Sequence, residues 1–180
     1  WVCDPSPERL KAAAARYPAT RATSSFDELL ADDAVEAVVV ATPVPTHAEL
    51  ARRALAAGKH VFVEKPMALG ADDAEALMAL AEERGLALLP GHLLLYHPGV
   101  LKLKELVDAG ELGQVLYVYG NRQNLGTIRQ DENALWSLGV HDLSVILFLL
   151  DEEPSEVLAR GESFLKPGVE ELCSILPPAI

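Results

Sequence analysis

The sequence predicts an α/β protein whose first half is a doubly wound parallel sheet and whose second half is an α+β unit. Three observations carry this. Short Val-rich runs alternate with helical segments, and that alternation implies right-handed crossovers between parallel strands. Gly58, Gly85 and Gly110 each stand just past a helical segment, where glycine closes helices. Near Pro90-Gly91 the strand–helix alternation stops, and a helix–strand–helix–strand order takes over.

The elements follow in order. Residues 1–3 (Trp-Val-Cys) read as the end of a strand, closed by Asp4. Pro5-Ser6-Pro7 opens a helix over residues 8–17, because proline at a helix start forfeits no hydrogen bond. Ser24-Ser25 leads into a short helix over 27–30. Residues 35–41 (Val-Glu-Ala-Val-Val-Val-Ala) suit a parallel strand buried on both faces. A loop from Thr42 follows, Thr46 is expected to cap a helix over 47–57, and Gly58 ends it. Residues 60–64 form the next strand, running into Lys65-Pro66. An Ala-rich helix over 71–84 precedes a fourth strand at 86–89.

Beyond residue 91, a helix is expected over 96–109. Residues 116–121 alternate Tyr117 and Tyr119 with Leu116, Val118 and Gly120, as in a half-exposed antiparallel strand. A polar stretch, 122–133, leads to a strongly apolar helix over 135–150 that carries His141 and Asp142. Residues 157–161 read as a strand, and 167–180 give no signal.

Composition narrows the function classes. Half the residues are hydrophobic and 23% are charged, a globular balance. No apolar run reaches the roughly 18 residues that cross a bilayer, so no membrane partner is expected. The formal charge of −12 argues against a nucleic acid as the main partner, since phosphate contacts need clustered Lys and Arg. Cys3 and Cys173 lie far apart and form no metal or disulfide pattern. No metal site is expected, and the compartment is expected to be reducing and cytoplasmic. The chain starts at Trp1 in mid-strand, with no initiator Met and no secretory signal, so truncation at the N-terminus is expected.

Several residues stand where chemistry would be placed. Ligands of open α/β sheets bind outside the carboxyl ends of the strands. Asp4 at such an end either bonds the ribose hydroxyls of a dinucleotide, which would favour NAD over NADP, or orders the helix that follows. Thr42, Pro43 and His47 lie in the next strand–helix loop. Glu64-Lys65-Pro66 closes a buried strand. There Lys65 can polarise a substrate hydroxyl or pair with Glu64 in solvent, and Pro66 restricts it and is a candidate cis residue. His141 and Asp142 are adjacent ionisable residues on an apolar helix, and burying both unpaired is costly. Histidine there can shuttle a proton near neutral pH. The polar stretch offers Asn121, Arg122, Asn124 and Arg129, arginine being suited to bidentate grip of an anion. His92, Tyr96 and His97 flank the boundary.

Taken together, Val2-Cys3-Asp4, Ala41-Thr42-Pro43 with His47, residues 58–66 (Gly-Lys-His-Val-Phe-Val-Glu-Lys-Pro) and Val140-His141-Asp142-Leu143 resemble the glucose–fructose oxidoreductase / inositol dehydrogenase / rhizopine catabolism (Gfo/Idh/MocA) family. The resemblance implies a Rossmann domain over residues 1–90, lacking its first strand and glycine loop. It also implies a substrate-binding domain over 91–180, built on an open, mainly antiparallel sheet and cut short at its C-terminus. Lys65 matches the family's active-site lysine, His141 its acid–base histidine and Asp4 its ribose-binding acid. Asp4, Thr42, Pro43, His47, Glu64, Lys65 and Pro66 would hold NAD. Lys65, Tyr96, Asn121, Arg122, Asn124, Arg129, Ser137, His141 and Asp142 would face the substrate.

Many members carry Asp where this chain has Ser137, which leaves Lys65 and His141 as the proton handlers. The polar stretch resembles the subgroup acting on the 3-hydroxyl of UDP-N-acetylglucosamine or its uronic acid, in making sugars for surface polysaccharides. A homo-oligomer, dimer or tetramer, is implied for the intact protein. Two other readings stay open: an inositol or simple-hexose dehydrogenase, and a fragment that binds NAD poorly because the pyrophosphate lacks its backbone N–H cradle.

Overall fold

The computed structural model describes residues 1–123 and 132–176, which form two compact units, Trp1–Gly91 and His92–Ile180.

In the first unit, β1 (Val2–Cys3), α1 (Pro7–Arg16), β2 (Ala22–Thr23) and α2 (Phe26–Leu30) are followed by β3 (Ala37–Val40), α3 (His47–Ala56), β4 (His60–Val63), α4 (Ala71–Glu83) and β5 (Leu88–Pro90). β1 and β2 pair in parallel, and β3, β4 and β5 form a second parallel set in that order. Ser6 and Ser25 cap α1 and α2, their hydroxyls accepting the N–H groups of Arg9 and Glu28. At the far end of α3, Gly58 takes a φ of 76°. Its N–H donates to the Leu55 carbonyl and the Lys59 N–H to the Ala54 carbonyl, the bonding pattern that terminates a helix through a left-handed residue.

Alternation decides where the core lies. Val38 and Val40 of β3 and Val61 and Val63 of β4 point to one face and pack with Leu29, Ala51, Ala54, Leu55, Leu77 and Ala81. Burying a side chain such as Leu55 contributes about 1.5–3 kcal/mol. The other face of the sheet is open: Val39 of β3 is 68% exposed and Leu89 of β5 45%. β3 is therefore buried on one face, not two as its sequence suggests, because α3 and α4 both pack on the Val38–Val63 side. β2 has no counterpart in the sequence reading. It consists of two residues without a hydrophobic run, and its strand character comes from pairing with β1.

The second unit contains a 3-10 turn (Leu93–Tyr96), α5 (Pro98–Asp108), a π-helical turn (Leu135–Gly139) running into α6 (Val140–Leu150), and an antiparallel hairpin of β6 (Leu158–Glu162) and β7 (Leu172–Leu176). α5 begins two residues later than expected, because the His97 ring accepts the Gly99 N–H and caps it ahead of Pro98. Residues 116–121, expected as a strand, have no strand partner among the described residues, and Tyr117 and Tyr119 are 80% and 78% exposed. Alternation selects a face, but a strand also needs a hydrogen-bonded neighbour. β7 was not legible in the sequence. In the hairpin connection, Glu171 accepts the N–H groups of Phe164, Leu165 and Lys166, which holds its carboxyl below the ordinary carboxylate range. Among the described residues, no helix is long and apolar enough to cross a membrane.

Candidate functional site

Because β3, β4 and β5 are parallel, the loops after them open on one edge of the sheet, the edge where α/β folds hold ligands. Thr42-Pro43 follows β3, Glu64-Lys65-Pro66 follows β4 and Gly91 follows β5. Asp4 stands at the matching end of β1.

Asp4 accepts the Ser6 N–H at 2.8 Å, and Arg9 Nε donates to both its oxygens at 2.8 Å. The Arg9 hydrogen bond, then the Ser6 N–H, hold the carboxyl below its ordinary value. A carboxylate offers about four lone-pair sites, so one acceptor remains for a ribose hydroxyl. Asp4 thus orders the start of α1 and still fits the adenosine ribose of NAD. Arg9 was missed by the sequence reading, though its place in the first turn of α1 brings it back toward Asp4.

The loop after β3 is held by its own hydroxyls. The Thr46 hydroxyl donates to the Pro43 carbonyl at 2.7 Å, so the Thr42 hydroxyl donates to Thr46 Oγ1, also at 2.7 Å. Thr46 does not cap α3, contrary to expectation, because its oxygen is taken by Thr42 and its backbone is already helical. His47 is 1% exposed. Its Nε2 lies 2.7 Å from the Thr42 carbonyl and its Nδ1 2.8 Å from the Pro66 carbonyl. Both ring nitrogens therefore face main-chain oxygens. His47, expected at the cofactor, has its ring between two loops of the ligand edge.

After β4, the Lys65 N–H donates to Glu64 Oε2 at 3.3 Å, and Lys65 is half-buried. The Lys65–Pro66 peptide is cis. Gly91 lies close against Glu64: a β-carbon there would stand 3.0 Å from Glu64 Oε2 and 3.3 Å from Glu64 Cα.

In the second unit, His141 and Asp142 occupy the first turn of α6, directly after the π-helical turn. Asp142 is gripped by Arg122 through Nη2 to Oδ1 at 2.9 Å and Nε to Oδ2 at 3.0 Å. Asp142 in turn raises the Arg122 guanidinium above its ordinary value, chiefly by hydrogen bonding. Both were expected to face substrate; they also pair with each other, through the Nε–Nη2 edge of the Arg122 guanidinium. The Ser137 hydroxyl donates to the Asn133 carbonyl at 2.9 Å. Asn133, the last residue of the polar stretch, joins Trp136 N–H to Glu170. Tyr96 ends the 3-10 turn and is 65% exposed, and Asn121 is exposed. Nδ1 of His92 is buried with no hydrogen-bond partner among the described residues, and burial lowers the imidazole's pKa. Asn124 and Arg129 lie outside the described residues. Among those described, no group of three His, Cys, Asp or Glu could hold a metal.

Comparison with known proteins agrees with this organisation. Residues 1–92 match the model of the Gfo/Idh/MocA oxidoreductase family's NAD-binding Rossmann fold, and residues 100–176 match that of the family's C-terminal domain. The chain is 36% identical to the dTDP-3,4-didehydro-2,6-dideoxy-alpha-D-glucose 3-reductase of Streptomyces violaceoruber, over 89% of this chain and 48% of that protein. It is 31% identical to the inositol 2-dehydrogenase of Salmonella typhimurium, over 84% of this chain and 46% of that one. Among solved structures, GenD2 from gentamicin A biosynthesis in complex with NAD superposes with a TM-score of 0.86 at 30% identity, over 98% of this chain and 54% of that chain. The chain thus spans about half the length of these relatives.

Proposed function

Since the chain belongs to the Gfo/Idh/MocA oxidoreductase family, we propose that the intact protein is an NAD-dependent dehydrogenase acting on a ring carbinol of a sugar. The reacting position is C3 of a nucleotide-linked hexose, with a UDP-N-acetylhexosamine or its uronic acid as substrate. The observation that supports this most is the placement of Lys65. It closes β4 on the ligand edge of the sheet, and its own segment is joined to the Thr42 loop through His47. A relative that reduces a nucleotide-linked sugar at C3 supports the position and the substrate class.

Asp4 holds a ribose hydroxyl with its remaining acceptor, and the segments around Thr42-Pro43 and Glu64–Pro66 line the rest of the cofactor. NAD, when bound, supplies the acceptor for the carbinol hydrogen as hydride. Lys65 donates a hydrogen bond to the carbinol oxygen and orients it. As the C–H bond breaks and the carbon–oxygen double bond forms, the hydroxyl proton passes to the His141 imidazole. Reduction runs the same proton back. Ser137 donates to the Asn133 carbonyl and is assigned no part in this proton transfer.

A second reading keeps the chemistry and changes the substrate to inositol or a simple hexose. The inositol dehydrogenase relative favours it, as does the Arg122–Asp142 pair, which leaves less cation for a nucleotide's phosphates. Steady-state turnover of UDP-sugar, dTDP-sugar and inositol by the intact enzyme separates the two. Lys65→Ala is expected to lower turnover by roughly 10²–10⁴-fold, the usual contribution of acid–base assistance. Turnover near that of the unaltered enzyme would remove Lys65 from the mechanism.

A further inference from the structure

Strands β3 and β4 part company at their carboxyl ends. The Glu64 N–H still donates to the Val40 carbonyl at 2.9 Å. Past that bond the two chains run into separate loops, one carrying Thr42 and the other Lys65. A side chain rejoins them: the imidazole of His47, whose two nitrogens face the Thr42 carbonyl at 2.7 Å and the Pro66 carbonyl at 2.8 Å. Carbonyl oxygens only accept, so the ring is there as a donor.

Its helix has other anchors in the core. α3 is held by Ala51, Ala54 and Leu55, each 0% exposed in the core. The ring does not cap α3, since its nitrogens turn to loops at residues 42 and 66 rather than to the helix's own N–H groups. What it joins is Thr42, two residues past β3, and Pro66, the residue next to Lys65. We infer that His47 is a positioning residue, a clasp that fixes the Lys65 segment to the end of β3 and thereby sets the aim of the lysine amine. This rests on Lys65 being the active amine.

The clasp predicts a specific non-additivity. In the intact enzyme, His47→Leu removes the polar ring that lies between the two loops and is expected to lower kcat by about 10²-fold, the usual cost of misplacing a reacting group by about 1 Å. In the Lys65→Ala background the same change is expected to cost nothing further, because its effect passes through the lysine. Multiplicative losses in the double variant overturn the clasp while leaving Lys65 in place. A Lys65→Ala enzyme at full rate overturns both.

A readout without substrate or cofactor tests the same point. Amide hydrogen exchange is expected to quicken in His47→Leu within residues 42–46 and 64–69 and to stay unchanged within 50–56 of α3. Uniform quickening across the unit would show a general packing role and overturn the inference. His47→Gln keeps a donor and guards against a variant that fails to fold. It is expected to retain protection in one of the two loops and to recover part of the lost kcat, and equal loss in both loops would count against the clasp.

Discussion

Gly91 ties the end of β5 to the Glu64–Lys65 segment, and Gly91→Ala measures how tightly. Its N–H donates to the Val63 carbonyl at 2.8 Å. Its φ is not in the left-handed region, so an alanine there meets no backbone strain. What it meets is space already filled. The new Cβ would stand 3.0 Å from Glu64 Oε2, 3.3 Å from Glu64 Cα and 3.3 Å from Phe62 Cζ. Ordinary contacts lie at about 3.5–4.0 Å, so these neighbours must give way by a few tenths of an ångström. The carboxylate can swing aside; the Cα is the main chain at the end of β4.

Overpacking of this kind costs about 1–3 kcal/mol. The lower conformational entropy of an unfolded chain with Ala in place of Gly returns about 0.4–1 kcal/mol. The net expected loss is about 1 kcal/mol, which for a unit of this size lowers the melting temperature by about 4–8 °C. Calorimetry of the two proteins at one pH and concentration measures it. Because the Lys65 N–H bonds Glu64 Oε2, turnover is expected to fall along with stability. A Gly91→Ala protein melting at or above the original would show that the entropy term wins, and the tight-contact argument would fail.

Glu171→Gln should expose a pH window. The folded carboxyl is held below its ordinary value, first by the Phe164 N–H and then by its neighbours. Its stabilisation is therefore present above the unfolded value near about 4.3 and is lost as pH falls through the lower folded value. Urea midpoints of the two proteins should differ at pH 7 and converge as pH falls through the lower folded value; a difference that persists in acid would contradict the assignment. For Arg122 and Asp142, side chains 38% and 33% exposed, a double-alanine cycle should give a coupling of about 0.2–1 kcal/mol that shrinks with salt. A salt-independent coupling of several kcal/mol would mean that the pair is far drier than its exposure indicates.

Local pattern was a sound guide where one stretch of chain decides the outcome. The Val-rich runs become β3 and β4, Gly58 and Gly85 end α3 and α4, and Asp4, Thr42 and Lys65 fall at strand ends in the first unit. It was a poor guide where a partner decides. β2 exists through β1, β7 through β6, and residues 116–121 alternate like a strand without having one to bond among the described residues. At the site, residue types were legible and pairings were not. Asp4 was read without Arg9, His47 without the two carbonyls beside its ring, and Arg122 and Asp142 without the pair they form.

By itself the sequence determined the strand–helix alternation, the helix ends and the motifs that place the chain in its family, because these depend on neighbours a few residues apart. Tertiary structure alone decided which face of β3 is covered and which acceptors each polar side chain meets. His47 and Pro66 are 19 residues apart, Arg122 and Asp142 20. Contacts across such separations exist only once strand pairing and helix packing have met the entropy of closing the intervening chain.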